Sequence, residues 1–169
     1  MQASTLLLKT LLVIVAATSA ATLLKADEAP RVPFPEGYRS WTHVKSIVIG
    51  PSHRLFAQRG GIHHYYANDL AVEGYRTGKF PDGAMVVDEA VIAHEGAGSA
   101  AGMLSEGGRR FLDVMAKNEA QYPQTGGWGF QHFDKEETKG GLSPAEQSQC
   151  YECHSKAKAR DHVFSQIRP

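Results

Sequence analysis

Cys150-Tyr151-Glu152-Cys153-His154 places two thiols and an imidazole within about one helical turn, and it contains both cysteines of the 169-residue chain. Two thiols at this spacing can each add across a vinyl group of one porphyrin to form thioethers. The histidine directly after the second thiol then lies beneath the iron as its axial ligand. Cys-x-x-Cys-His is the spacing of c-type haem attachment. Two other chemistries use a Cys-x-x-Cys pair. A structural zinc site needs about four ligands, and no second cysteine pair is present to complete one. A thiol–disulfide redox motif normally follows a strand inside a βαβ unit, and no such pattern surrounds this segment. The favoured expectation is one covalent haem c, anchored through Cys150 and Cys153, with His154 as proximal ligand to the iron.

The other end of the chain agrees. Residues 1–26 have the form of a secretory signal: Lys9 supplies a positive flank, and an apolar run continues from Thr10 to Leu24. Small residues follow at Thr18-Ser19-Ala20-Ala21 and at Ala26. The alternative is an uncleaved membrane anchor, but the run falls short of the ~20 residues that a spanning helix wants. A cleaved signal implies a periplasmic protein, and export matters because bacteria attach haem c beyond the inner membrane. Two cysteines in an exported chain would otherwise invite a disulfide.

Removing the signal leaves about 145 residues, enough for one domain with a real core. The expected organisation is a lead-in at 27–35, extended or flexible and rich in proline, and a single haem domain at 36–169. A formal net charge of +0 excludes nucleic acid as an expected partner.

Several elements must position the motif. Pro35 to Trp41 carries Tyr38 and Trp41 three apart, as a short helix would. His43 to Ile49 is rich in β-branched residues and stops at Gly50-Pro51, which predicts a strand and a turn. Ile62 to Ala67 predicts a second strand in which His63 and Tyr65 face one side and His64 and Tyr66 the other. Asn68 or Asp69 can cap a helix through Tyr75, broken at Thr77-Gly78. Phe80-Pro81-Asp82-Gly83 is a turn, Ala84 to Ala93 a mostly buried strand, and Gly96 to Gly108 a small-residue loop. Arg110 to Lys117 and Gly129 to Phe133 complete the strands. Ser143-Pro144-Ala145-Glu146 opens a helix with a Ser cap and proline in its first turn, and that helix delivers the cysteines. The predicted class is α+β and β-rich: an antiparallel sheet of about five strands, short flanking helices, and a C-terminal helix bearing the motif. This differs from small electron-carrier cytochromes c, which are helical, and from four-helix cytochromes c′.

Four blocks carry a more specific resemblance. They are Gly61-Ile62-His63-His64-Tyr65-Tyr66-Ala67-Asn68, then Tyr75-Arg76-Thr77-Gly78-Lys79-Phe80-Pro81-Asp82-Gly83, then Gly126-Gly127-Trp128-Gly129-Phe130, then the terminal Cys-x-x-Cys-His. In order and spacing the chain resembles the cytochrome P460 family from about Pro35 to its end. The resemblance implies a β-sheet fold, a homodimer, and one of two activities. One branch of the family oxidises hydroxylamine; the other, the β-sheet cytochromes c′, binds gases such as nitric oxide.

In the oxidising branch a lysine is bonded to the haem macrocycle. Its position falls here on Asp88, which cannot form an amine cross-link, and Lys79 is the nearby alternative. His63 corresponds best to a distal polar residue, with His64 the lesser candidate, and either can instead be a buried histidine bonded to a carbonyl. Phe56, Tyr65 and Met85 are candidate pocket walls. Met85, Met103 and Met115 are weak candidates for a sixth ligand, and Trp128 is expected near the haem edge or a subunit interface. Three functions follow as expectations. The first is an open iron site that binds or converts small nitrogenous or gaseous ligands, most of all nitric oxide. The second is hydroxylamine oxidation, and the third is periplasmic electron transfer. A soluble c-type cytochrome is the expected electron partner.

Overall fold

Five segments of β-branched and aromatic residues pair into one antiparallel sheet in the order β1-β2-β3-β4-β5, so each strand lies beside its sequence neighbour. The computed structural model describes residues 31–168. The strands are β1 (Thr42–Ile49), β2 (Gly61–Ala67), β3 (Met85–Glu95), β4 (Leu104–Lys117) and β5 (Trp128–Asp134). Three helices flank them: α1 (Phe56–Arg59), α2 (Asp69–Thr77) and α3 (Pro144–His154). The proposed signal at 1–26 lies outside the described residues. Of the lead-in at 27–35, the described part forms no helix or strand but is packed: Val32 is buried, and the Phe34 ring meets that of Phe133 at 5.2 Å.

Side-chain alternation gives the sheet two different faces. One carries Val86, Met115 and Phe130, which pack with Ala67, Phe80 and Trp128 into a core that also takes in Cys150 and Tyr151 of α3. The other carries Val87, Leu112, Val114 and Phe133, covered by Val32, Phe34 and Tyr38 from the N-terminal segment. On that second face the buried Glu89 accepts a hydrogen bond from the Tyr38 hydroxyl at 2.7 Å and is ion-paired with Arg39. The fully buried Trp128 and Phe133 each contribute roughly 1.5–3 kcal/mol through apolar burial.

Local signals explain how the helices start and stop. Asn68 caps α2 by accepting from the Ala71 N–H at 2.9 Å, and the same oxygen accepts from Met85 N–H at 3.0 Å, tying the helix to the start of β3. Gly78 ends α2 in the left-handed region at φ 79°. The Ser143 and Glu146 side chains form a reciprocal capping box at the start of α3, with Pro144 in its first turn.

Two expectations are corrected. The helix expected from Pro35 to Trp41 is only a 3₁₀ turn at Tyr38–Ser40, because Gly37 is left-handed at φ 72° and the chain is extended again at Trp41. The loop expected from Gly96 to Gly108 ends earlier: 96–103 connect the strands, with a 3₁₀ turn at Gly98–Ala100, while 104–108 belong to β4, where Glu95 pairs with Leu104 and Ala93 with Glu106. Glycines 107 and 108 fall inside β4 beside a register shift, and a side chain at Gly107 would meet His94 Nε2 at 2.4 Å. The turn of helix α1 between β1 and β2 carries no sequence signal strong enough to predict it.

Candidate functional site

Helix α3 lies on the first face of the sheet, and the Phe130 ring of β5 meets the His154 ring at 5.2 Å. Cys150 and Cys153 are free thiols, the first half-buried and the second exposed. Burial pushes the Cys150 thiol up, and the nearby Asp113 carboxylate adds to the shift. His154 sits at the last position of α3 between Phe130 and Phe164, whose ring lies 5.0 Å away. Burial lowers its pKa against the opposing pull of the His162 carbonyl, so the ring is neutral near pH 7. Nδ1 donates to that carbonyl at 2.8 Å, which fixes the tautomer and directs the lone pair to Nε2. Two thiols one turn apart and a neutral histidine with an uncommitted Nε2 are the donor set that haem c requires, so the residues fit the group. Among the described residues no three His, Cys, Asp or Glu side chains form a cage for a bare metal ion.

The same face of the sheet holds a row of polar side chains. Tyr65 pairs with Asp88, Asp88 with Asp113 and Asp113 with His132, one from each of β2 to β5. Arg59 of α1 bridges the two carboxylates, its Nη2 lying 3.0 Å from Asp88 and 2.7 Å from Asp113, with the guanidinium over the Phe111 ring. His132 Nδ1 meets Asp113 at 2.6 Å, and its Nε2 meets Asp134 at 3.3 Å. The Asp113 hydrogen bond raises His132 above its ordinary pKa against the cost of burial. Burial would raise Asp113, but His132 and Arg59 outweigh it and hold the carboxyl below the usual range. A groove of about 760 Å³ opens beside Arg59, Phe111 and His132, giving this row a route to solvent.

His63 is fully buried on this face. Its Nδ1 lies 2.8 Å from Asp88 Oδ1 and its Nε2 lies 2.7 Å from the Arg59 carbonyl. Both nitrogens face acceptors, so the ring is satisfied only as an imidazolium donating from each. Burial is the largest single effect and opposes that charge, but the hydrogen bond and negative charge of Asp88 together with the Arg59 carbonyl outweigh it, and the net shift is upward. His63 is therefore bonded to its own surroundings, and the residue it presents to the rest of the face is Asp88. Burial and the Asp88 carboxylate also push the Tyr65 phenol well up.

The other candidates are placed as follows. His64 lies on the opposite face, 2.7 Å from Ser46 Oγ through Nδ1 and 3.0 Å from Glu106 through Nε2. Lys79 is exposed on the turn after α2. Phe56 is exposed and Met85 packs against the opposite-face core, so of the three expected walls only Tyr65 belongs to the α3 face. Met103 is exposed near the hairpin tip, and Met115 is buried in the core beside Phe130. Trp128 is wholly buried in the chain's own core, and its Nε1 donates to the Asp161 carbonyl at 2.9 Å. Sequence reasoning missed Arg59, Asp113 and His132. The available signal was a lone charged or imidazole side chain inside each of two apolar strands, Phe-Leu-Asp-Val-Met and Phe-Gln-His-Phe.

The cytochrome P460 family model matches residues 35–165. The chain belongs to the cytochrome P460 family. Membership makes it a haem c cytochrome, with iron as the metal. The matched span takes in the whole sheet and α3. No curated protein matches the chain.

Proposed function

We propose that this cytochrome carries one haem c on α3, bonded through Cys150 and Cys153, with His154 as proximal ligand and an open sixth position that captures or converts a small nitrogen species, foremost nitric oxide. The observation that carries the reading is the shared face: the Tyr65-Asp88-Asp113-His132 row and Arg59 lie on the side of the sheet that holds Cys150. Of the axial donors considered from the sequence, His63 is bonded to Asp88 and Arg59, His64 and Met85 lie on the opposite face, and Met103 is at the surface; Met115 is on the α3 face but buried in the core beside Phe130.

Bound haem supplies a Lewis-acidic iron and a one-electron relay. The chain's own residues hold and tune it. His154, neutral and oriented by the His162 carbonyl, would hold the iron through Nε2. Arg59 offers fixed donors between Asp88 and Asp113, and its position over Phe111 limits its swing. His132 hands protons between Asp113 and the groove, because its Nε2 bond to the exposed Asp134 is the longest in the row. Asp88, where the resemblance aligns the cross-linking lysine, is a carboxylate, and Lys79 is solvent-exposed, so an unmodified macrocycle fits this chain.

One observation favours hydroxylamine oxidation as a second reading. Asp88 and Asp113 provide bases on the α3 face, and oxidation of an N–H compound needs a proton acceptor. In either case the protein is exported to the periplasm by residues 1–26 and exchanges electrons with a soluble c-type cytochrome near the exposed Lys156, Lys158 and Arg160. It pairs as a homodimer through apolar side chains left at the surface, among them Val48 and Leu104.

The test is to titrate the ferrous holoprotein with nitric oxide, and separately to supply hydroxylamine with an electron-accepting cytochrome. Stoichiometric binding without hydroxylamine turnover is expected. Turnover accompanied by a strongly red-shifted ferrous Soret band would establish the second reading, and an iron that ignores both ligands would leave electron transfer alone.

A further inference from the structure

Asp161 and His162, two consecutive non-glycine residues, both occupy the left-handed region, at φ 47° and 68°. L-residues rarely adopt it, and a pair of them persists only where surrounding contacts over-determine the backbone. The second member of this pair supplies the carbonyl that accepts the His154 Nδ1 proton at 2.8 Å.

The contacts that hold the pair converge on Asp161. Its Oδ1 lies 3.0 Å from Lys117 Nζ at the end of β4, its Oδ2 accepts from the Phe80 N–H at 2.9 Å, and its carbonyl accepts from Trp128 Nε1 at 2.9 Å. The Asp161 N–H donates to the Lys158 carbonyl and the His162 N–H to the Ala157 carbonyl, each at 3.1 Å. Lys117 is buried, with Asp161 as its carboxylate partner and the Gly126 carbonyl, 3.0 Å from Nζ, as its second acceptor. Asp161 thus ties the turn before β3 and the end of β4 through its carboxylate, and the start of β5 through its carbonyl, to the His154 acceptor beside it in the chain. A buried lysine needs a carboxylate somewhere. Nothing in that need requires the carboxylate to stand beside the proximal histidine's acceptor.

We propose that Asp161, clamped by Lys117 and Trp128, is the positioning residue of the proximal histidine and thereby sets how strongly His154 donates to the iron. A well-aligned acceptor at Nδ1 gives the ring imidazolate character, which strengthens the axial bond and favours ferric iron. The proposal rests on haem ligation by His154 and is independent of which nitrogen species binds on the other side.

The experiment compares wild-type holoprotein with Asp161→Asn, Lys117→Met, Lys117→Arg and Trp128→Phe. Three quantities are read: covalent haem per chain, reduction potential, and the ferrous iron–histidine stretching frequency by resonance Raman. At unchanged covalent haem, Asp161→Asn and Lys117→Met should raise the potential and lower the stretching frequency. Lys117→Arg should return both toward wild type, and Trp128→Phe should shift them in the same direction as Asp161→Asn but less. Should Asp161→Asn fail to accumulate as holoprotein, Trp128→Phe decides, because it keeps the ion pair and removes one support of the Asp161 carbonyl. Variants that unfold more easily yet keep the wild-type potential and stretching frequency would overturn the proposal and leave Asp161 a purely structural residue. A wild-type protein without covalent haem would instead overturn the α3 attachment itself.

Discussion

Asp88→Ala removes the carboxylate on which two cations of the site converge, and the loss can be worked from the geometry. The Arg59 arm is minor. Arg59 is about one-third exposed and keeps its 2.7 Å contact to Asp113, so its share is about 0.5 kcal/mol. The His63 arm is larger, because the ring is 0% exposed and its Nδ1 loses a charged acceptor at 2.8 Å. Leaving a buried cation unpaired costs about 3–5 kcal/mol, but His63 can limit the cost by shedding a proton. The expected loss near pH 6 is therefore about 3 kcal/mol, or about 10 °C in Tm for a domain of this size.

The pH dependence has a definite sign. The folded pKa of His63 is raised, so its stabilisation is fully present below the unfolded value of about 6.5 and is lost as pH rises through the folded value. The gap between wild type and Asp88→Ala should be widest at pH 6 and narrow toward pH 9. Urea unfolding followed by circular dichroism at pH 6, 7, 8 and 9 measures it, with Asp88→Asn as the near-isosteric control. A gap under about 1 kcal/mol at pH 6, or one that does not change with pH, would refute the doubly protonated assignment of His63.

Replacing both Cys150 and Cys153 with alanine should leave no haem in the protein after acid–acetone extraction, and retained haem would refute attachment at α3. Lys79→Ala should leave the ferrous Soret band unchanged, since the side chain stands in solvent; a shift of that band would reveal a bond between this lysine and the macrocycle. Ser143→Ala removes the cap of the helix that carries the thiols and should lower stability by about 1 kcal/mol in urea, without altering the Soret band of haem already attached.

The cysteine–histidine cluster on α3 was legible because it is local. Cys150, Cys153 and His154 are neighbours in sequence, and the capping pattern of Ser143, Pro144 and Glu146 announced the helix that presents them. The strands were legible for the same reason: β-branched runs bounded by glycine and proline carry their own signal. The long hairpin was not, because Gly107 and Gly108 resemble a loop in sequence, while in space Gly107 makes room for His94 and Ile92 across the strand pair. The polar row on the same face of the sheet depends on register. Tyr65, Asp88, Asp113 and His132 come from four strands, and pairing alone aligns them. Alternation placed His63 and His64 on opposite faces, yet nothing in the sequence showed that Asp88 and the Arg59 carbonyl occupy both His63 nitrogens. That required α1, a single helical turn with no distinctive pattern.

The central claim is an iron held by His154 on α3 and left open on its other side. The ferrous electronic spectrum of the holoprotein without added ligand tests it most directly. A five-coordinate high-spin spectrum, with a broad Soret band and one broad visible band that change on adding nitric oxide, is the predicted result. Sharp α and β bands of a six-coordinate low-spin haem, unmoved by nitric oxide, would contradict it.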